Sequence, residues 1–267
     1  MWYTKLIFGL VVNTINIPYD NGANIQGSKN SPKDLLPYLD FLNIEKSIDI
    51  DVNNFVTNIL NDGYYGVLEV LCDEKFPITI GGDHTISVSS VAAMNDYCIA
   101  NNKRLGILWC DAHADFNTME TSPTKNIHGM PIAILCGHTL QNLKIGEDLD
   151  PEQFAYYGLR DVDYLENIRV KEHNIPIITN NSYLDKWIEK FDSIYISFDI
   201  DCLDPSVTDC VNTPVANGLS VEDIKRVFNR VKRSNKLCGL DIVEYNSDKG
   251  DDHTIIVDIV KTLLTDN

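Results

Sequence analysis

Runs of consecutive apolar residues alternate along this chain with stretches whose apolar positions recur every three or four residues. The runs lie at 5–12, 76–80, 105–109, 154–158, 176–178, 194–198 and 237–242. Most are apolar throughout, as expected of strands covered on both faces. Helical periodicity occupies 32–42, 53–71, 87–100, 162–173, 184–191, 221–233 and 252–264. Ser31-Pro32 reads as an N-cap followed by proline at the first helical position. Ser220 with Asp223 reads as a capping box with the shorter acid. Strand–helix alternation predicts an α/β fold, a three-layer α/β/α arrangement with a mostly parallel central sheet. No linker, repeat or low-complexity tract breaks the pattern, so residues 1–267 read as one domain. The polar, glycine-containing stretch 19–32 is expected to be a long loop after the first strand.

Polar residues at the ends of the runs add chemistry. His84, Asp111 to Asp115, Arg160 to Asp163, Asp199 to Asp201 and Glu244 each follow a predicted strand or sit in its last positions. Open parallel sheets bind ligands beyond the carboxyl ends of their strands, so five such ends point to one cleft. Loops are polar in any protein, which explains one or two of these ends but not two patterns of strict alternation. In extended chain, residues i, i+2 and i+4 share a side. Asp111, His113 and Asp115 can therefore face one point, and so can Asp199 and Asp201. With His84 they offer two histidines and four aspartates, enough for two divalent cations. The mixed oxygen and nitrogen set suits Mn(II), with Fe(II), Co(II), Ni(II) or Zn(II) as substitutes. Two such ions about 3.5–4 Å apart can share a hydroxide whose pKa has dropped toward ~7. Asp83 is expected to hold the other ring nitrogen of His84, as the partners of metal-bound histidines do.

Composition narrows the class. The chain has 267 residues, is 44% hydrophobic and carries a formal charge of −17. That charge repels nucleic acid and anionic lipid and favours cationic ligands. No stretch reaches the ~18 apolar residues of a membrane span. The apolar run 6–12 has no small-residue cleavage site after it and reads as a strand rather than a signal peptide. The seven cysteines are scattered, odd in number and free of a Cys-x-x-Cys spacing, the pattern of a reduced cytoplasmic protein. Cys110 and Cys202, within the ligand motifs, read as packing residues, because hard cations prefer oxygen and imidazole.

The motifs Gly-Gly-Asp-His at 81–84, Asp-Ala-His-Ala-Asp-Phe-Asn at 111–117 and Asn-Ile-His-Gly-Met-Pro at 126–131 resemble those of the ureohydrolase family, arginases in particular. So do Gly-Leu-Arg-Asp-Val-Asp at 158–163, Ser-Phe-Asp-Ile-Asp-Cys-Leu-Asp-Pro at 197–205, Thr-Pro-Val at 213–215 and Gly-Leu-Asp-Ile-Val-Glu-Tyr-Asn at 239–246. They fall in family order over nearly the whole chain. The resemblance implies a dimanganese hydrolase of guanidinium compounds. One ion would take His84, Asp111, Asp115 and Asp199, and the other His113, Asp111, Asp199 and Asp201. It implies proton transfer by His128, a substrate guanidinium held by Glu244, and Thr213 in the loop lining the scissile end. It also implies a homo-oligomer, a trimer or hexamer.

Within that family L-arginine is the expected substrate and agmatine, a guanidino acid or formiminoglutamate the alternatives; a non-catalytic relative is a further one. An α-carboxylate needs neutral donors, and Asn117, Ser122, Thr124 and Asn126 match the carboxylate-binding loop of arginases. An α-ammonium needs an acid, and Asp163 matches, with Glu166 behind it. Lys125 stands beside Thr124, where it is expected either to help bind the carboxylate or to face solvent. Asn212 and Asn217 replace glycines common around Thr-Pro-Val, and asparagine tolerates left-handed backbone better than most residues.

Overall fold

The buried runs pair into one sheet of seven strands, all parallel, with the order β2-β1-β3-β7-β6-β4-β5. The computed structural model describes residues 10–265. Its strands are β1 (Val11–Ile17), β2 (Asn43–Asp49), β3 (Phe76–Gly81), β4 (Leu105–Cys110), β5 (Phe154–Tyr157), β6 (Ser193–Asp199) and β7 (Leu237–Val243). The helices are α1 (Ser31–Leu35), α2 (Val56–Cys72), α3 (Ser87–Ala100), α4 (Pro131–Leu135), α5 (Tyr164–Glu172), α6 (Asn181–Ile188), α7 (Val221–Arg233) and α8 (His253–Leu264).

Alternation along each strand divides the core in two. In β4, Leu105, Ile107 and Trp109 join α2, α3, α4 and α5 on one face, while Leu108 and Cys110 join α1, α6, α7 and α8 on the other. Every residue of β3, β4 and β6 is therefore buried. Among the described residues no helix is long and apolar enough to cross a membrane. The capping box at Ser220 and Asp223 is formed, each side chain accepting from the other's backbone N–H.

Besides the short helix α4 (Pro131–Leu135), which was not anticipated, four elements differ from the sequence reading. The first strand lies at Val11–Ile17 rather than 5–12, and positions 5–9 fall outside the described residues. Its polar positions bond to β2: Asn13 Oδ1 accepts from the Lys46 N–H at 3.0 Å, and Asn16 Nδ2 donates to Asp49 at 2.7 Å. β2 itself was not anticipated; it is an exposed edge strand whose sequence is mostly polar. The helix at 32–42 stops at Leu35 and tightens into a 3-10 turn, Leu36–Tyr38, because Pro37 has no N–H to continue it. Segment 176–178 makes only an isolated bridge, Ile177 to Tyr156.

Parallel register aligns the carboxyl ends. Ile17 lies beside Gly81, Ile80 beside Ile242, Val243 beside Asp199, and Phe198 beside Cys110. The residues that follow these positions share one rim. Gly82 allows the first loop to close onto it, since a Cβ there would sit 2.0 Å from Tyr19 O.

Candidate metal centre and cleft

Asp111 stands at the middle of the rim, and its two carboxylate oxygens face two histidines. Oδ2 lies 3.1 Å from His84 Nδ1, and Oδ1 lies 3.4 Å from His113 Nδ1. Around His84 Nδ1 gather two more oxygens, Asp115 Oδ2 at 3.0 Å and Asp199 Oδ2 at 3.1 Å. Around His113 Nδ1 lies Asp201 Oδ2 at 3.1 Å. The four aspartates and His84 are all buried.

This arrangement does not satisfy itself. One ring nitrogen carries at most one proton, yet three carboxylate oxygens surround His84 Nδ1. His84 Nδ1 and Asp115 Oδ2 are buried without an acceptable hydrogen bond. Buried charges are ordinarily paired or coordinate metals. His84, Asp111 and Asp115 form one group of mutually close donor atoms, and Asp111, His113 and Asp201 form a second. Both groups fit divalent cations, and Asp111 belongs to each.

Without cations the histidines supply the positive charge. Burial alone would lower His84, but the Asp115, Asp111 and Asp199 carboxylates outweigh it and raise the imidazole well above its ordinary value. His113 is raised in the same way against burial, by Asp111 and Asp201. Burial and the charges of Asp201 and Asp111 push Asp199 well up, and burial with the Asp111 charge pushes Asp115 to about 6.

Surrounding groups aim the donors. Asp199 Oδ1 accepts from the Asp201 N–H at 2.7 Å, and Asp201 accepts from the Ala112 N–H at 3.1 Å and the Thr213 hydroxyl at 2.8 Å. Trp109 Nε1 donates to Asp111 at 3.0 Å, and its indole stacks on the His84 ring at 4.2 Å. Trp109 was missed in the sequence, although i, i+2 alternation already places it on the side of Asp111. Asp83 is corrected: His84 Nε2 pairs with Ser197 Oγ at 2.9 Å, while Asp83 accepts from the N–H groups of Gly22 and Thr85. Its carboxylate thus caps the turn that presents His84. Asp115 and Glu244 both have left-handed backbone, with φ of 49° and 64°. Such conformations cost on the order of 1–3 kcal/mol and cluster at functional sites.

A cavity of about 190 Å³ opens over the two groups. His128, Asn117, Ser122, Thr124, Asn126, Asp163, Glu166, Thr213 and Glu244 all line it. Glu244 Oε1 accepts from the His84 N–H and pairs with His128 Nδ1, each at 2.9 Å, and Oε2 is buried without a partner. Burial would lower His128, but Glu244, Asp83 and Asp115 raise it to about 9. Asn117 Nδ2 donates to Asp163 at 3.0 Å, and burial lifts Glu166 to about 8. Lys125 does not enter the cleft; its ammonium donates to Met119 O. Asn217 adopts the left-handed backbone expected of it (φ 63°). Asn212 does not, and is instead buried with Nδ2 donating to Ile25 O at 3.1 Å.

These shifts share one sign. Asp83 at about 7, Asp115, Glu166, His128, His84 and His113 all bind protons more tightly folded than unfolded. Each contributes stability that is lost as pH rises through its folded value. Chelator-treated protein is expected to melt at progressively lower temperature from about pH 5 to 9. A melting temperature that is flat or rising over that range contradicts the protonation scheme.

Acids and imidazoles gathered on the carboxyl rim of an all-parallel sheet define a metal-dependent hydrolase of the α/β class. Comparison with known proteins narrows the class. The Arginase family profile matches residues 15–265. The arginase of Entamoeba histolytica is 30% identical over 269 residues, covering 88% of this chain and 90% of that one. A crystal structure of Bacillus subtilis arginase superposes with a TM-score of 0.88 at 26% identity, covering 96% and 99% of the two chains. The Entamoeba histolytica enzyme solved with L-ornithine superposes with a TM-score of 0.86 at 26% identity, covering 97% and 99%. The chain belongs to the arginase family, and it is a ureohydrolase enzyme.

Proposed function

We propose that this enzyme hydrolyses the guanidinium group of L-arginine to urea and L-ornithine, using two Mn(II) ions. The observation that carries the reading is the cleft itself. Seven of its lining residues are carboxylates, Asp115, Asp161, Asp163, Glu166, Asp199, Asp201 and Glu244, and among the described residues no lysine or arginine lines it. Such a cavity favours a small cation. Formiminoglutamate, with two carboxylates and no guanidinium, has no basic partner there.

His84, Asp111, Asp115 and Asp199 would hold one ion, and His113, Asp111, Asp199 and Asp201 the other. Bound divalent ions lower the pKa of water toward ~7 and so supply hydroxide at neutral pH. The chain's own residues do the rest. Glu244 Oε2, buried and free, pairs with the flat guanidinium and orients its carbon. Asp115 Oδ1, the oxygen turned away from His84, would accept a hydrogen bond from the attacking water. The bond from the guanidinium carbon to the chain nitrogen then breaks, and the departing amine needs a proton. His128 can supply it from Nε2, since Nδ1 is paired with Glu244 and the ring is protonated at neutral pH.

Arginine and agmatine differ only at the far end. Asn117, Ser122, Thr124 and Asn126 supply neutral donors for a carboxylate, and Asp163 with Glu166 supplies acid for an α-ammonium. The Entamoeba histolytica arginase was solved with L-ornithine, an amino acid that carries both of these groups. Free cysteines throughout accord with a cytoplasmic enzyme, and the reading extends to a homo-oligomer, a trimer or hexamer, of one domain per chain.

The test is urea release from arginine and from agmatine, with and without manganese. Arginine is expected to be the faster substrate and manganese to be required; faster turnover of agmatine overturns the choice. Asp163→Asn is expected to lower kcat/KM for arginine about 10–150-fold, from a charged hydrogen bond worth about 1.5–3 kcal/mol, while agmatine is unaffected. An equal loss on both substrates removes Asp163 from the ammonium site.

A further inference from the structure

Arg160 neither lines the cleft nor offers a donor to a cation, yet its whole guanidinium is occupied. Nε donates to Ala216 O at 3.3 Å. Nη1 donates to Gly158 O at 3.0 Å and Cys202 O at 3.1 Å. Nη2 donates to Asp201 O at 2.8 Å, Leu203 O at 3.2 Å and Val215 O at 2.7 Å. A guanidinium has five N–H groups, so six carbonyls exhaust it and one N–H is shared. No carboxylate is among the partners in this set. The backbone N–H of Arg160 adds a further bond, to Ala112 O at 2.9 Å, as does that of Asp161.

The carbonyls belong to segments that build one side of the centre. Asp201 is itself a carbonyl partner, and Thr213, which donates to the Asp201 carboxylate, lies two residues before Val215. Ala112, held by the Arg160 backbone, donates to the other Asp201 oxygen and immediately precedes His113. The opposite side is aimed by different groups: Ser197 and Glu244 hold His84. Gly158 (φ 101°) permits the closure, for a Cβ there would lie 3.2 Å from Asp111 O and 3.3 Å from Cys202 Cβ.

We propose that Arg160 is a positioning residue for the His113–Asp201 half of the metal centre, and that the His84–Asp115 half is set independently of it. The alternative is a general staple of surface loops, which would weaken everything equally. Lysine cannot substitute, because one ammonium has three donors and no planar fork. This inference rests on the two-ion reading.

Chelator-stripped wild type, Arg160→Lys and Arg160→Met are titrated calorimetrically with Mn(II), and melting curves are recorded for each. The wild type is expected to bind two ions per chain. The variants are expected to keep one ion within about threefold of its wild-type affinity. They bind the other roughly 10–100-fold more weakly, the range for partners that orient metal ligands. At one to two equivalents of manganese, the electron paramagnetic resonance of the variants changes from a coupled pair toward an isolated ion. Parallel loss of both affinities, or of neither, overturns the proposal. Should Arg160→Met fail to fold, Arg160→Lys, which keeps charge and stem, carries the same comparison. A wild type that binds a single ion overturns the two-ion reading and this inference together, and the wild-type titration alone identifies that case.

Discussion

Asp199→Asn is expected to abolish manganese-dependent urea release and, at the same time, to raise the melting temperature of the metal-free protein. The two effects have one origin. Asp199 is a buried carboxylate pushed up by burial and by Asp201 and Asp111, so in the absence of cations its charge works against the fold. An amide keeps the shape and still accepts from the Asp201 N–H, the bond now made by Oδ1. On its other side, Nδ2 takes the place of one of the three carboxylate oxygens crowded around His84 Nδ1, whose single proton stays between Asp111 and Asp115. Relief of such repulsion is worth about 1–2 kcal/mol, or roughly 2–8 °C in a chain of this length. With cations bound the sign reverses. Removing one partner of a buried charge pair costs about 3–5 kcal/mol, roughly 10²–10⁴ in affinity or rate. Melting curves with and without manganese, read beside urea release, check both halves. Undiminished turnover sinks the ligand assignment; a lower metal-free melting temperature sinks the account of repulsion.

The same opposition of charge explains what could be read along the chain. β3, β4, β6 and β7 are legible because burial on both faces leaves continuous apolar runs. β2 is not, because an edge strand needs only Ile44 and Ile48 inward and draws its stability from side-chain bonds to Asn13, Thr14 and Asn16. The donors at 84, 111–115 and 199–201 are legible because alternation in extended chain fixes which side each faces. Their partners are harder. Ser197 reaches His84 across 113 positions, and nothing local distinguishes it from Asp83, which adjoins the histidine and turned out to cap a turn. Arg160 carries no periodic signal at all, since its partners are backbone carbonyls, which every residue has. Left-handed backbone at Asp115 and Glu244 is equally silent, neither residue being glycine or asparagine.

Glu244→Gln is expected to lower kcat/KM for arginine by roughly 30–4,000-fold and to move the alkaline limb of its pH profile toward neutrality. Glutamine preserves the acceptor for the His84 N–H, so the turn at the end of β3 is retained. What it removes is the charge facing the guanidinium. At the buried, unpartnered Oε2 it can place an amide that also donates, opposing the donors of the substrate. Loss of one partner from a desolvated charge pair is worth about 2–5 kcal/mol, which sets the range. Because the pair forms on binding and persists through the reaction, most of the loss belongs in KM. The remainder acts through His128. Burial lowers that imidazole, and Glu244 is the strongest of the groups that raise it to about 9. Without that charge burial weighs more, the ring loses its proton at lower pH, and fewer molecules can protonate the departing amine at pH 8. Acid must therefore restore part of kcat in Glu244→Gln, whereas Asp163→Asn, which is not among the charges that raise His128, leaves the limb in place. A Glu244→Gln enzyme whose alkaline limb coincides with that of the wild type would show that His128 does not carry the proton.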